Sequence, residues 1–497
     1  MIKEDGHMNR KAGILMPVSS LPSNQGIGDF GKHCYRIIDA FSKQHIRIWQ
    51  ILPLNPVGYG NSPYQPFSSF AGDEIYISID TLADYGLLKQ SSVRNYNKFS
   101  ENVDFQGVRA FKLPYLKKAY KTFKKYFSDY EEEYLAFCEE AFWLQTYAVF
   151  ITLKKENGMK CWLEWPQEQR YWVKDHNFSL KELEEKINYE KFLQFIFYKQ
   201  WKSVKEYANT HEIEIMGDIP FYVGIDSADV WEYQQDFLLD SEAKPTVVAG
   251  VPPDYFSKTG QLWGNPIYNW KQLKKENYSF WMKRLSWNAK QFDILRIDHF
   301  RAFDTYWVIP AHSATAINGE WELGPAYEFF DALFTQLPDI SIVVEDLGEL
   351  RKQVGKLRDY YNLTGMNVVQ FEMEVKLLKR PRKENVIVYS STHDNDTLEG
   401  FYQDLDTNKK IALRRFFHNY GYDNRTFHEL VIRYCFDSTA NIAIIPIQDI
   451  LGLKKEGRMN TPGTIGSPNW EWKVKNLKIF YDLLPEIGEW IRISHRD

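Results

Sequence analysis

Eight short runs rich in β-branched residues, separated by stretches long enough for helices, constrain this chain more than any other feature. They cover residues 13–16, 46–51, 213–216, 294–297, 342–344, 367–371, 386–389 and 442–445. A strand buried in a parallel sheet reads as such a run. Eight strands, each followed by a helix, are the number a closed (β/α)8 barrel requires. The runs at 294–297, 342–344 and 386–389 lead into acidic motifs: Arg296-Ile297-Asp298-His299, Glu345-Asp346-Leu347-Gly348 and Thr392-His393-Asp394-Asn395. A typical barrel allots roughly 31 residues to each βα unit. From Asp298 to Glu345 is one unit plus some loop. From Glu345 to Asp394 is two short units, with 367–371 as the strand between. The motifs are therefore expected after strands 4, 5 and 7. A doubly wound open sheet would need a Gly-rich phosphate turn after its first strand, and none is present.

The predicted fold is α/β, a TIM (β/α)8 barrel with inserted, largely helical subdomains and no C-terminal β-sandwich. A single catalytic barrel would span 1–497. The interval between the second and third runs is too long for one crossover, so 85–180 is expected to form a helical subdomain between strands 2 and 3. Residues 225–290 are expected to form a substrate-loop subdomain between strands 3 and 4. Aromatic and lysine positions alternate at helical spacing from Tyr115 to Phe127, which reads as an amphipathic helix with a solvated face. Ser179-Leu180-Lys181-Glu182 fits a capping box for the helix leading into the third strand. About 50 residues follow the eighth run.

Bulk composition narrows the function. A net charge of −5 without a long basic block argues against nucleic acid or an anionic membrane as partner. Cys34, Cys138, Cys161 and Cys435 are far apart and form no CxxC pair, so neither a disulfide framework nor a zinc site is expected. The N-terminus lacks an apolar signal-like region. The longest apolar stretches, such as 147–153, fall far short of the roughly 18–20 residues that cross a bilayer. A cytoplasmic protein is expected. The 16 Trp, 31 Tyr and 33 Phe are mostly core, yet flat rings with polar edges also suit sugars.

Three carboxylates at strand ends suit acid/base and nucleophilic work on a glycosidic bond. Arg296 and Asp298 lie two apart on a strand and share a face, so the cation is expected to lower the Asp298 pKa and keep it ionised. Glu345, near another carboxylate and away from water, is expected to stay protonated. Asp394 and His393 would bond sugar hydroxyls. Alternatively, each carboxylate is a helix cap or a surface charge. Together they could also hold a divalent ion, although Arg296 would repel it.

These motifs, with Phe300-Arg301 after the first and Asp396-Thr397 after the third, resemble the amylomaltases. These are 4-α-glucanotransferases related to the α-amylase-type retaining barrels. The resemblance runs through Ser19-Ser20-Leu21-Pro22, Gly26-Ile27-Gly28-Asp29, Trp49–Leu54 with Gly58 and Ser62-Pro63-Tyr64, and Gly217-Asp218-Ile219-Pro220. It continues through Gly250–Phe256, Gly260–Pro266 and Arg458–Thr464. It implies Asp298 as nucleophile, Glu345 as acid/base and Asp394 as transition-state stabiliser. Arg296, His299 and His393 would contact the nucleophile or the sugar. Tyr59 would stack on that sugar and Asp218 would support the site. Trp263, Asn265 and Phe371 would lie on the acceptor side, and Asn460 on a lid loop. For Trp263 and Phe371, core packing is the alternative.

The resemblance implies maltooligosaccharides and other α-1,4-glucans as partners, and neither cofactor nor metal. Ala302 and His312 stand where the pattern expects glycines, and Asp73-Glu74 replaces an expected Asn-Pro. A retaining site holds its carboxylates about 5–5.5 Å apart and forms a covalent glycosyl-enzyme. Transfer follows if a sugar is held in line while water is kept out. The long Gly/Pro-rich stretches at 252–266 and 458–464 fit that task. An α-glucan hydrolase of the α-amylase type, or a non-catalytic glucan-binding barrel, are the other readings.

Overall fold

The computed structural model describes residues 10–94, 96, 101–253, 257–348, 350–375, 384–422 and 425–497. Among the described residues there are twelve strands: β1 (Lys11–Leu15), β2 (Ile48–Gln50), β3 (Glu214–Ile219), β4 (Val247–Val251), β5 (Gln261–Pro266), β6 (Ile294–Ile297), β7 (Thr305–Pro310), β8 (Glu320–Leu323), β9 (Ile342–Val344), β10 (Gly365–Val368), β11 (Val386–Tyr389) and β12 (Ile442–Pro446). Eight form one all-parallel sheet in the order β10-β11-β12-β1-β2-β3-β6-β9. A parallel bridge between Val343 and Thr364, with Val344 N–H donating to the Thr364 carbonyl at 2.9 Å, brings the two ends together. The result is a (β/α)8 barrel in which β6, β9 and β11 are strands 4, 5 and 7. The acidic motifs leave their C-terminal ends, where barrel enzymes carry their chemistry.

The strand burial follows the sequence. Ile294–Ile297, Ile342–Val344 and Val386–Tyr389 are buried throughout, because a parallel strand has the barrel interior on one face and helices on the other. Gly217 on β3 is required by that outer layer: a Cβ there would lie 2.3 Å from the Phe292 ring. The aromatic excess is largely structural. Trp49, Trp143, Trp162, Trp201, Trp231 and Trp281 are fully buried.

Between β2 and β3, from residue 79 on, the described residues are largely helical, with long helices at Phe105–Lys125, Leu144–Glu156 and Glu184–Thr210. The helix Glu184–Thr210 packs on Lys32–Lys43 and Leu144–Glu156. No capping box forms at Ser179. Its hydroxyl accepts from Lys181 N–H at 3.4 Å in a local turn, and a 3-10 turn at Lys181–Leu183 precedes the helix. Local side-chain bonding of serine competes with capping in this way.

A second sheet was not foreseen. β4, β5, β7 and β8 are antiparallel in the order β5-β4-β7-β8. Strands β7 and β8 come after barrel strand β6, yet β7 pairs with β4 from the interval before it. Such long-range pairing leaves no local periodicity to read. The run at 367–371 is also corrected. The strand ends at Val368, and a helix, Val369–Val375, carries Phe371. A short apolar run does not separate a strand from the first turn of a buried helix. Among the described residues no strand follows β12, and no helix is long and apolar enough to cross a membrane.

Candidate active site

Four barrel strands bring the charged centre together. Asp218 on β3 and Arg296 on β6 are buried, and Arg296 Nη1 donates to both Asp218 oxygens at 2.7 Å. Its other terminal nitrogen lies 2.9 Å from Asp298 Oδ1, and its Nε approaches Met366 Sδ of β10 at 3.4 Å. The guanidinium is thus clamped between two carboxylates, a geometry its planar fork suits. Asp298 leaves 31 % of its side chain open to the cleft.

Glu345 stands just past β9. Its Oε2 accepts from His299 N–H at 2.7 Å and its Oε1 from Leu347 N–H at 3.1 Å. His299 itself has a φ of 51°, in the left-handed region. Burial raises the Glu345 carboxyl most, and the Asp298 charge raises it further. Against Arg296 and the two amides, it reaches about 8. Asp298 is not lowered, as expected from Arg296 alone. Burial outweighs the guanidinium, Asp218 and Asp394 add to it, and the group is pushed up to about 6. Of the two groups Glu345 is raised further than Asp298. His299 is pushed down to about 3 by burial and then by Arg301, so its imidazole is neutral.

The loop after β11 adds His393 and Asp394. The Tyr64 hydroxyl donates to Asp218 Oδ2 at 2.7 Å and lies 2.8 Å from His393 Nε2. With its one proton given to Asp218, Tyr64 must accept from His393, so Nε2 carries the imidazole proton. Asp394 Oδ2 lies 3.4 Å from the same nitrogen, and 47 % of the Asp394 side chain is exposed. Asn460 Nδ2 donates to Asp394 Oδ1 at 2.7 Å, and an Arg458 terminal nitrogen donates to the Asp394 carbonyl at 3.3 Å. Trp470 packs on both rings, with centroids 5.6 Å from Tyr64 and 6.0 Å from His393.

Of the sequence-predicted residues, the structure groups Asp218, Arg296, Asp298, His299, Glu345, His393, Asp394 and Asn460. Trp263 on β5 joins at the rim, its ring edge-on to His299 with centroids 4.9 Å apart at 81°. Asn265 is buried and donates to the Val223 carbonyl at 3.0 Å, a bond within the loop framework. Phe371 packs half-buried against the main core. Tyr59 lies in the turn Tyr59–Asn61, and its side chain is outside the described residues, as are Asp254, Tyr255 and Phe256. The Asp73-Glu74 departure is locally compensated: Arg109 donates to Asp73 and Glu74, while Asp73 accepts from Val57 N–H at 3.1 Å.

Sequence reasoning assigned no role to Tyr64, Trp470 or Asp449. Tyr64 stood inside a motif already singled out. Asp449 follows the eighth run closely, the same pattern as the other three carboxylates. Buried, it accepts from the Ser390 and Ser391 hydroxyls at 2.7 and 2.6 Å and from Leu398 N–H at 2.8 Å. It ties both ends of the loop that carries His393 and Asp394. Among the described residues no group of three His, Cys, Asp or Glu side chains is placed to hold a metal ion.

A model of the 4-alpha-glucanotransferase family, glycoside hydrolase family 77, matches residues 16–478. The chain is 41 % identical over 480 residues to a 4-alpha-glucanotransferase of Synechocystis, covering 93 % of this chain and 94 % of that one. It is 39 % identical to a 4-alpha-glucanotransferase of Thermus thermophilus, covering 97 % of each. The solved amylomaltase from Streptococcus agalactiae in complex with acarbose superposes with a TM-score of 0.93 at 33 % identity, covering 98 % of this chain and 99 % of that one.

Proposed function

The chain belongs to the 4-alpha-glucanotransferase family and is a glucan-transferring enzyme, and we propose that it works by a retaining mechanism through a covalent glycosyl-Asp298. Donors are maltooligosaccharides or starch, and the acceptor is the 4-OH of glucose or another α-1,4-glucan.

In the first step an Asp298 oxygen attacks the anomeric carbon while Glu345 gives its proton to the glycosidic oxygen. The C–O bond breaks and the reducing-side glucan leaves as a neutral alcohol. In the second step ionised Glu345 takes the proton of the acceptor 4-OH. That oxygen displaces Asp298 and restores the α-linkage. Retention follows from two inversions at one carbon. Arg296 stays paired with Asp298 and Asp218 throughout. Asp394, open to the cleft and oriented by Asn460, bonds the hydroxyls of the distorted sugar. Trp263 at the rim offers an aromatic surface to the acceptor.

The observation that carries this reading is geometric: Asp298, paired with Arg296 at 2.9 Å and partly open to the cleft, and Glu345, held by the His299 and Leu347 amides, stand at the C-terminal ends of the neighbouring barrel strands β6 and β9. A product ladder from maltotriose tests it. Transfer gives free glucose and longer chains with little gain in reducing ends. Shorter sugars only, with reducing ends rising in step, would mark a hydrolase and overturn the proposal.

A further inference from the structure

Trp470 has a backbone conformation that its side chain disfavours. Its φ is +67°, in the left-handed region, where a bulky residue is a steric outlier. Such conformations persist where the surroundings over-determine them, and they cluster at functional sites. Here two sets of contacts hold it. Its ring, 8 % exposed, packs on Tyr64 and His393, the pair bonded to Asp218 and next to Asp394. Its N–H donates to the Met459 carbonyl at 2.8 Å, closing the foot of the loop that runs between them.

That loop is braced from inside by the preceding residue. Asn469 is buried, its Oδ1 accepts from Thr461 N–H at 2.9 Å, and its Nδ2 donates to Thr464 Oγ1 at 2.9 Å. Near the foot, Asn460 donates to Asp394. At the far end Ile465 meets the Tyr59–Asn61 turn: a Cβ on Gly60 would lie 2.8 Å from Ile465 Cγ2. The loop therefore runs from Asp394 and the Tyr64–His393 pair to the Tyr59–Asn61 turn, and Trp470 joins its foot to that ring pair.

We infer that Trp470 is a positioning residue that couples this loop to the Tyr64–His393 pair, and so sets how much of the glycosyl-enzyme passes to a sugar rather than to water. The inference rests on the retaining transfer proposed above. The left-handed backbone is what lets one residue close the loop with its amide while turning its ring toward the site. If the ring is lost, the foot is freed from Tyr64 and His393, and the loop roofs the intermediate less completely. Water then competes better with the acceptor.

The test compares the wild type with Trp470→Phe, Trp470→Ala and Asn469→Ala on maltotriose, scoring new reducing ends per bond cleaved. Trp470→Ala is expected to raise the hydrolytic share about fivefold, and Trp470→Phe, which keeps a ring on the pair, to restore most of the wild-type value. Asn469→Ala loosens the same loop without touching the ring stack, and its hydrolytic share should rise too; it serves as the test if Trp470→Ala does not fold. Activity lost only in proportion to the folded fraction, with the hydrolytic share unmoved in the folded variants, overturns the coupling. A wild type that is itself fully hydrolytic overturns the transferase reading instead, so the two failures are distinguishable.

Discussion

The backbone amide of His299 donates to Glu345 Oε2 at 2.7 Å. The residue after the proposed nucleophile thus holds the proposed acid of the next strand, and it does so from a left-handed backbone, φ 51°. The amide favours the ionised carboxylate, so losing it should raise the Glu345 pKa. His299→Gly keeps the backbone accessible and should leave the basic limb of the kcat/KM profile in place. His299→Val resists that φ and should move the limb up by about half a unit to one unit. A shared basic limb in the two variants would show that the amide contact does not tune the acid.

The proposed mechanism requires Asp298 ionised and Glu345 protonated. With these groups pushed up to about 6 and about 8, kcat/KM on maltotriose should rise through about pH 6, hold a plateau and fall through about pH 8. Glu345→Gln removes the acid and should lower the rate about a thousandfold or more while sparing oligosaccharide binding, as read by calorimetry. The stability sign is the opposite of an ordinary salt-bridged carboxylate. A raised folded-state pKa contributes stability that is fully present below the unfolded value of 4.5 and lost as pH rises through about 8. The amide variant escapes that loss, so its gain in Tm over the wild type should be larger at pH 8.5 than at pH 5.

The clamped guanidinium sets the third expectation. Arg296 lowers the Asp298 pKa against burial and donates from one terminal nitrogen to both oxygens of buried Asp218. Arg296→Met should shift the acidic limb to higher pH, because the cation that favours ionised Asp298 is gone. The rate should fall about a hundredfold to a thousandfold. It should also destabilise the fold by about 3–5 kcal/mol, since Asp218 is left buried without its partner. Arg296→Lys should not rescue it, because an ammonium cannot reproduce the fork that spans both carboxylates. Denaturant unfolding and a pH–rate profile check the two halves separately.

The barrel was legible because its evidence is local. Runs such as 294–297 and 342–344 coincide with β6 and β9, and strand-end carboxylates mark where they stop. The antiparallel sheet was not, since β4 meets β7 only across barrel strand β6. The site shows the same division. Asp298, Glu345 and Asp394 follow from position along the chain, whereas Tyr64 reaches Asp218 across 154 positions and His393 across 329. The Asp298 pKa was misread for a related reason. A neighbouring arginine is visible in the sequence, but the burial that outweighs it is a property of the folded cleft.

Asp449 shows how a residue without contact to the proposed reacting groups should still control the rate. Its Oδ2 accepts two serine hydroxyls where β11 ends, and its Oδ1 accepts the Leu398 amide where the next helix begins. Between these anchors lie His393 and Asp394. Asp449→Asn can keep the arrangement if its oxygen faces the Leu398 donor and its NH2 faces the two hydroxyls, which rotate to accept. Its kcat should stay within about threefold of wild type. Asp449→Ala removes every acceptor and frees both loop ends. A displacement of Asp394 on the order of 1 Å should then cost about a hundredfold in kcat. KM for maltotriose should change less, because the lost alignment matters most when the sugar is distorted in the transition state. A loss carried by KM, or an asparagine variant as impaired as the alanine one, would show that Asp449 acts on the fold at large rather than through the Asp394 loop.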